Sequence, residues 1–222
     1  MARPGFGLVS FCVLTGVVLV GCGKEPEPFK PVKYDYNTPV DLNAFAKQFL
    51  DNAPANKDRM ASAEKAQLTF IDLEGKKVDL SNYKDKSNVV LVMTKGMPQS
   101  PGGVFCPGCL AQMNAMVANN AEFKKREAEV LVVFPGPSEK AGEFLTTAKV
   151  SEGNKPSPIP LLLDKDMAAV NLLGISGDRA KPSTYILDRK GNVVYAYVGE
   201  HTTDRPSVKA LLNQLDKLNT KQ

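Results

Sequence analysis

A strand predicted to be buried on both faces, followed by a pair of cysteines, constrains this chain more than any other feature. Residues 88–94 contain a continuous apolar run, which is typical of an inner strand of an α/β sheet. A loop rich in Gly and Pro follows, and then the run Phe105-Cys106-Pro107-Gly108-Cys109. Apolar residues recur at helical spacing beyond Cys109, so a helix of about 20 residues is predicted to begin near Pro107.

The rest of the chain continues this alternation of strands and helices. Strands are predicted at residues 67–73, 129–134, 160–164, 183–188 and 193–198, and helices at 138–149 (with Ser138 as the cap), at 167–173 and from near Asp204 onward. Upstream, residues 41–50 have helical periodicity with Asp41 as the N-cap, and residues 54–65 are weakly helical. The pattern predicts an α/β domain over residues 67–222, preceded by an N-terminal helical extension over residues 41–66.

The position of the cysteines at a helix start indicates a reactive thiol pair. Unpaired backbone N–H groups and the positive end of the helix dipole favour thiolate over thiol there. We therefore expect Cys106 to be the exposed nucleophile. Cys109, one turn into the helix, is expected to be the more buried thiol that resolves a mixed disulfide. The chemistry requires no cofactor beyond a redox-active Cys106–Cys109 disulfide.

Three other roles for the pair stay open. A structural zinc site needs two more soft ligands, and only His201 remains for this in the processed chain, so zinc would require a dimer. A structural disulfide is the second alternative. The third is Cu(I) bound by both thiols together with a methionine such as Met97. None of the three fits the helix start as well as redox chemistry does, so no metal site is expected.

Residues 1–21 are predicted to be a lipoprotein signal peptide, with a plain secretory signal or an N-terminal span as the alternative. Arg3 precedes an uncharged apolar stretch that is too short for a membrane span. Leu19-Val20-Gly21-Cys22 resembles the lipobox of bacterial lipoproteins, and by that resemblance Cys22 is the lipid attachment site. Residues 22–40, rich in proline and charge, are predicted to be a tether.

This N-terminus predicts a lipid-anchored protein of the cell envelope. Gly23, directly after Cys22, is not acidic. In a Gram-negative organism this favours the periplasmic face of the outer membrane, and in a Gram-positive organism the location would be the cell surface. The other cysteine of this region, Cys12, lies within the segment that would be removed.

Four segments together resemble the thioredoxin-like superfamily, and within it the bacterial redoxins that include AhpC/TSA-type peroxiredoxin-like and TlpA-type proteins. They carry the pattern aromatic-C-P-x-C-x-x-Q, a proline before a strand, a D-x-x-G hairpin and the start of a C-terminal helix. In order, these are residues 105–113, 181–188, 188–195 and 204–212. The resemblance covers residues 67–218 and implies a thioredoxin-like fold, with a central mixed β-sheet flanked by helices.

The resemblance also implies a substrate site. Pro182 is expected to be a cis-proline that lies against the cysteine pair and takes part in catalysis. The backbone of Lys181 is then expected to hydrogen-bond an extended partner peptide. Phe105, Pro107 and Gly108 are expected to complete the substrate-binding surface.

Peroxidases of this superfamily have a Thr or Ser three residues before the reactive cysteine, a Pro seven residues before it, and an Arg near the cis-proline. Gly103, Gln99 and Pro182 occupy these positions here, so only Arg179 or Arg205 could supply the cation in space. We therefore favour a membrane-anchored thiol–disulfide oxidoreductase over a peroxiredoxin-like thiol peroxidase. A third hypothesis is a non-catalytic binding protein on a redoxin fold.

Composition limits the partners. Apolar residues make up 43% of the chain, which is enough for a packed core. The net charge is only +4 and there is no basic run, so nucleic acid is not an expected partner. The expected partners are a protein thiol or disulfide substrate, an upstream redox protein, and the membrane that holds the lipidated N-terminus.

Overall fold

The computed structural model of the chain describes residues 40–64, 66–97, 104–151 and 156–220. The predicted signal peptide, Cys22 and all of the predicted tether except Val40 lie outside these residues. Within the described ranges, no helix has the length and apolar character needed to cross a membrane.

The helices and strands follow the predicted alternation. The helices are α1 (Leu42–Ala46), α2 (Lys57–Glu64), α3 (Pro107–Ala118), α4 (Asn120–Lys125), α5 (Ala141–Thr147), α6 (Ala168–Leu172) and α7 (Val208–Asn219). The strands are β1 (Thr69–Ile71), β2 (Lys77–Asp79), β3 (Asn88–Met93), β4 (Ala128–Pro135), β5 (Leu161–Asp164), β6 (Ser183–Leu187) and β7 (Val193–Val198). All of these strands belong to one sheet in the order β2-β1-β5-β4-β3-β6-β7.

The sheet is mixed, as predicted. Strands β5, β4 and β3 are parallel, whereas β1, β6 and β7 pair antiparallel with their neighbours. Every residue of β3 is buried, because helices and loops cover both faces of the sheet. Val90 and Val92 point into the core that contains the two cysteines, and Leu91 points into a second core on the opposite face. A strand buried on both faces reads as a continuous apolar run, which is why β3 was predictable.

The N-terminal extension packs into the domain rather than beside it. Asp41 caps α1 as predicted, since its Oδ1 accepts hydrogen bonds from the N–H groups of Asn43 and Ala44 at 3.0 Å. Leu42, Phe45 and Phe49 are buried in the same core as the two cysteines. Helix α1 is shorter than the predicted helical stretch and ends at Ala46.

Three predicted helices differ in their limits. The helix after the cysteines has 12 residues and ends at Ala118, and α4 begins as a separate helix at Asn120. A 3-10 turn occupies Ser138–Lys140, so α5 begins only at Ala141 and Ser138 is not its cap. Helix α7 begins at Val208, capped by Ser207, rather than near Asp204. Short strand β2 was not predicted, because its three residues are polar or half-buried and show no apolar run.

Candidate active site

The cysteine pair lies where the sequence predicted it. Cys106 is the N-cap of α3, and Pro107 occupies the first turn, where the missing proline N–H costs no hydrogen bond. The Cys109 N–H donates to the Cys106 carbonyl at 2.9 Å, so the two cysteines are one turn apart. Both are free thiols in this structure.

Both thiols are buried, which corrects the expectation that Cys106 is exposed. Cys106 is 4% exposed and Cys109 is 1% exposed. One cause is the approach of Thr202, because a Cβ at Gly108 would lie 2.0 Å from the Thr202 carbonyl oxygen. Gly108 therefore admits a neighbouring loop rather than lying open to a substrate, and Pro107 is buried beside it.

Phe105 is anchored in an aromatic cluster. Its ring meets those of Phe134 and Phe144 edge-on, with centroids 6.3 and 5.6 Å away. The ring remains half-buried. Phe105 thus fixes the chain just before Cys106 to the cysteine-side core.

Arg205 is the cation of the site. It is 1% exposed, and its Nη2 lies 3.9 Å from the Cys106 sulfur and 3.8 Å from the Cys109 sulfur. Its Nη1 lies 3.8 Å from the Cys109 sulfur and donates to Gln112 Oε1 at 2.7 Å. Of the two arginines considered from the sequence, the fold brings Arg205 to the sulfurs, while Arg179 donates to the Val104 carbonyl at 3.4 Å.

Gln112 is the glutamine of the C-P-x-C-x-x-Q pattern, and it is a site residue that was not predicted. It lies on α3 three residues after Cys109 and is buried. Its Nε2 donates to Thr184 Oγ1 on β6 at 3.5 Å, which orients Oε1 toward Arg205. The signal that could have found it is its spacing, since residues three apart on a helix share a face.

The two thiols have opposite pKa shifts. The pKa of Cys106 is lowered to about 5, chiefly by a hydrogen bond from the Cys109 thiol and, against the cost of burial, by the positive charges of Arg205 and Lys95. Burial, the hydrogen bond with Cys106 and the negative charge of Cys106 raise the pKa of Cys109 well above its ordinary value. The Lys95 N–H donates to the Cys109 sulfur at 3.2 Å. Cys106 is therefore the thiolate of the pair at neutral pH, and Cys109 is the thiol.

The expected cis-proline is a wrong prediction. No peptide bond between described residues is cis, so the Lys181–Pro182 bond is trans. The Lys181 N–H donates to the Ile175 carbonyl at 2.8 Å, and the Lys181 carbonyl accepts from Ser183 Oγ at 2.9 Å. The backbone groups expected to bind a partner peptide are thus engaged within the chain.

No group of three or more His, Cys, Asp or Glu side chains suited to a metal ion occurs among the residues that the structure describes. Met97, the suggested third ligand for Cu(I), is half-buried against the cysteine-side core. Gln99 and Gly103, which replace the peroxidase motif residues, lie outside the described part of the chain.

The sequence model of the AhpC/TSA family matches residues 60–196. The chain belongs to the AhpC/TSA family. The predicted redoxin group and the thioredoxin-like fold are thereby confirmed, and the chain stands among thiol-based oxidoreductases.

Individual relatives are distant. The thiol–disulfide oxidoreductase ResA of Bacillus thuringiensis (strain Al Hakam) is 24% identical over 152 residues, which cover 68% of this chain and 78% of ResA. Among solved structures, the peroxidoxin BcpB of Mycobacterium tuberculosis superposes with a TM-score of 0.53 at 18% identity, over 71% of this chain and 94% of BcpB. Peroxiredoxin 6 of Arenicola marina superposes with a TM-score of 0.57 at 15% identity, over 71% of this chain and 72% of its own. At such identities the structural likeness concerns the fold.

Proposed function

We propose that this protein is a thiol–disulfide oxidoreductase in which Cys106 attacks and Cys109 resolves. The observation that carries the proposal is one buried guanidinium within 3.9 Å of both sulfurs of a C-x-x-C pair. A thiolate is the reactive form of cysteine, and the pKa of Cys106 near 5 keeps it a thiolate at neutral pH. The similarity to ResA, a curated thiol–disulfide oxidoreductase, supports the same activity.

The reaction proceeds in two exchanges. The Cys106 thiolate attacks a substrate disulfide, forms a mixed disulfide and expels one substrate thiolate. Cys109 then loses its proton and attacks the Cys106 sulfur, which expels the second substrate thiolate and leaves a Cys106–Cys109 disulfide. The substrate gains two electrons and the pair loses two. An upstream redox protein restores the dithiol, and the reverse sequence oxidises a substrate dithiol.

The charges of the site favour this order of steps. The negative charge of Cys106 is one cause of the raised pKa of Cys109. That charge disappears when Cys106 enters the mixed disulfide, while Arg205 and the Lys95 N–H still face the Cys109 sulfur. The pKa of Cys109 therefore falls at the step that needs its thiolate.

Trapping of mixed disulfides tests the assignment. In Cys109→Ser the first exchange remains and the second is blocked, so mixed disulfides through Cys106 should accumulate. Cys106→Ser should trap far fewer, because the thiol that remains is only 1% exposed and burial, the largest cause of its raised pKa, persists in the variant. Equal trapping by both variants would contradict the roles given to the two cysteines.

Hydroperoxide reduction is a second candidate, and the burial of both sulfurs favours it. A small peroxide needs less access than a protein disulfide, and Arg205 can face its oxygens. Cys106 would take one oxygen to become a sulfenic acid and release an alcohol, and Cys109 would then form the disulfide and release water. Single-turnover rates with hydroperoxide and with a protein disulfide, measured on the same reduced protein, distinguish the two activities.

We further propose that Cys22 is lipidated and that the protein faces the periplasm from the outer membrane, or lies on the surface of a Gram-positive cell. The motif Leu19-Val20-Gly21-Cys22 and the apolar run before it support this. Detergent phase partitioning tests the anchor: the parent should enter the detergent phase and Cys22→Ser should not. A parent protein that stays in the aqueous phase with residues 1–21 removed would refute it.

A further inference from the structure

We propose that Phe49 is a positioning residue that holds the Arg205 guanidinium against the two cysteine sulfurs. The Arg205 Cζ lies 5.6 Å from the centroid of the Phe49 ring. The ring is 7% exposed and Arg205 is 1% exposed, so the contact is shielded from water. A cation over an aromatic face is attracted by the ring quadrupole, more strongly where both are desolvated.

The segment that carries Phe49 is joined to the segment that carries Arg205. The Leu50 N–H donates to the Arg205 carbonyl at 2.9 Å, and the Ser207 N–H donates to the Leu50 carbonyl at 2.9 Å. Asp51 accepts from Ser207 Oγ at 2.6 Å and from Lys209 Nζ at 2.9 Å. The backbone of Arg205 is thus fixed directly to the residue that follows Phe49.

Arg205 needs such support because the oxygen atoms that accept its hydrogen bonds are neutral and do not balance its charge. No ion pair with a carboxylate is among its contacts in the described residues. Apart from the sulfurs and Phe49 it meets the Thr202 carbonyl, at 2.9 Å from Nε, and Gln112 Oε1. An isolated buried cation is costly, so the thiolate and the aromatic face compensate its charge together.

Phe49 and Arg205 both lie outside residues 60–196, the part that matches the AhpC/TSA family. The cysteines come from inside that part, and the cation and its aromatic support come from the two flanking segments. The contact between Phe49 and Arg205 is therefore not a feature of the part of the chain that matches the family. The inference rests on the proposed function only in that the same thiols are used.

The test follows the reactivity of Cys106 with iodoacetamide across pH in the full-length reduced protein, with the modified site mapped by mass spectrometry. Phe49→Leu keeps an apolar side chain but removes the ring, and it should raise the pH midpoint of alkylation by about one unit. At pH 5 this corresponds to an alkylation rate about fivefold lower, since the thiolate fraction falls from about half to about a tenth. Phe49→Tyr keeps the aromatic face and should restore the midpoint of the parent.

Phe45→Leu is the matched control. Phe45 lies one turn earlier, is 6% exposed and packs edge-on against Phe49 with centroids 6.4 Å apart. This variant should lose comparable stability and keep the midpoint of the parent. An unchanged midpoint in Phe49→Leu, or an equal shift in Phe45→Leu, would overturn the proposal. If Phe49→Leu does not fold, Phe49→Met provides the same comparison.

Alkylation reports the thiolate and not turnover. A protein with no oxidoreductase activity but the expected midpoints would therefore refute the proposed function and leave the role of Phe49 intact. An active parent protein with unchanged alkylation midpoints in Phe49→Leu would refute the role of Phe49 and leave the proposed function intact.

Discussion

Replacing Arg205 with glutamine removes the cation that both sulfurs share and should raise the pKa of Cys106. The guanidinium lies 3.9 Å from the Cys106 sulfur. At that distance two unit charges interact by about 4 kcal/mol for an effective dielectric constant of about 20. An opposite charge this close lowers a pKa by about 1–3 units in practice. The pKa of Cys106, about 5 with Arg205 present, should therefore rise to between about 6 and 8 in the variant.

The choice of pH decides whether this change is visible. At pH 8 the parent and a variant with a pKa near 6 are both almost fully thiolate. At pH 6 the thiolate fraction falls from about nine-tenths to about half or less, so the alkylation rate falls at least about twofold. We therefore expect the clearest difference in iodoacetamide rate constants below pH 7, with the reacted cysteine identified by mass spectrometry.

Two control variants make the result specific. Arg179→Gln removes a positive charge that donates a hydrogen bond to the Val104 carbonyl rather than facing a sulfur, and it should leave the midpoint near 5. Arg205→Lys keeps the charge but loses the planar fork, so its midpoint should lie between those of the parent and Arg205→Gln. A folded Arg205→Gln protein with a midpoint still near 5, or an equal shift in Arg179→Gln, would refute the reasoning.

Two further predictions concern stability. Gly108→Ala would place a Cβ 2.0 Å from the Thr202 carbonyl oxygen and should lower the free energy of unfolding by about 1–3 kcal/mol. Gly142→Ala, in an open helical position, should raise it by about 0.5–1 kcal/mol. Urea denaturation measures both, and equal effects would contradict the close approach of Thr202 to Gly108. Because the pKa of Cys106 is depressed to about 5 by folding, the reduced protein should gain stability as pH rises from about 5 toward about 8.5 and lose it as pH falls through about 5. The raised pKa of Cys109 has the opposite effect on stability above that range. If the urea midpoint of the parent changes with pH no more than that of Cys106→Ala, the pKa assignment for Cys106 is refuted.

The centre of the sheet was predictable because its pattern is local. Residues 88–94 and 129–134 are apolar runs that require cover on both faces, and strands β3 and β4 are buried accordingly. The Asp41 cap was predictable for the same reason, since a cap depends on the next three residues. The break at Asn119 was not predicted, because apolar spacing resumes beyond Asn119 and Asn120 and outweighs the stop signal that two asparagines give.

The cysteine motif and its place at a helix start were likewise predictable, but the environment of the motif was not. Arg205 is separated from Cys109 by 96 positions and from Cys106 by 99. It comes from a loop with no periodic pattern, so the sequence could only name it together with Arg179. The burial of Cys106 has the same origin, since Thr202 of that loop closes over Gly108.

The failed prediction for Pro182 has a different cause. The family resemblance implied both a proline at position 182 and a cis peptide bond before it, and only the proline is present. The Pro182 carbonyl accepts from the Gly199 N–H at 2.8 Å, and Lys181 forms an ion pair with Glu200 at 2.6 Å. These contacts tie the segment before β6, which carries Pro182, to the loop that carries Arg205, in place of an open edge for a partner peptide.

The cation shared by the two sulfurs should also shift the reduction potential of the Cys106–Cys109 pair. In the reduced state Arg205 faces one thiolate. Oxidation to the disulfide removes that negative charge, and the buried cation then faces neutral groups: Gln112, the Thr202 carbonyl and the Phe49 ring. Oxidation is therefore disfavoured, which raises the reduction potential toward the oxidising values near about −120 mV rather than the reducing values near about −270 mV.

Arg205→Gln should reverse this bias. At pH 7 it removes about one to two powers of ten of thiolate stabilisation, and about 30 mV corresponds to each power of ten in a two-electron couple. We expect the variant to have a potential lower than the parent by about 30–60 mV in equilibration with glutathione redox buffers. A potential that stays the same or rises, in a variant whose Cys106 pKa has increased, would show that Arg205 stabilises the oxidised state at least as much as the reduced state and that the charge argument is wrong.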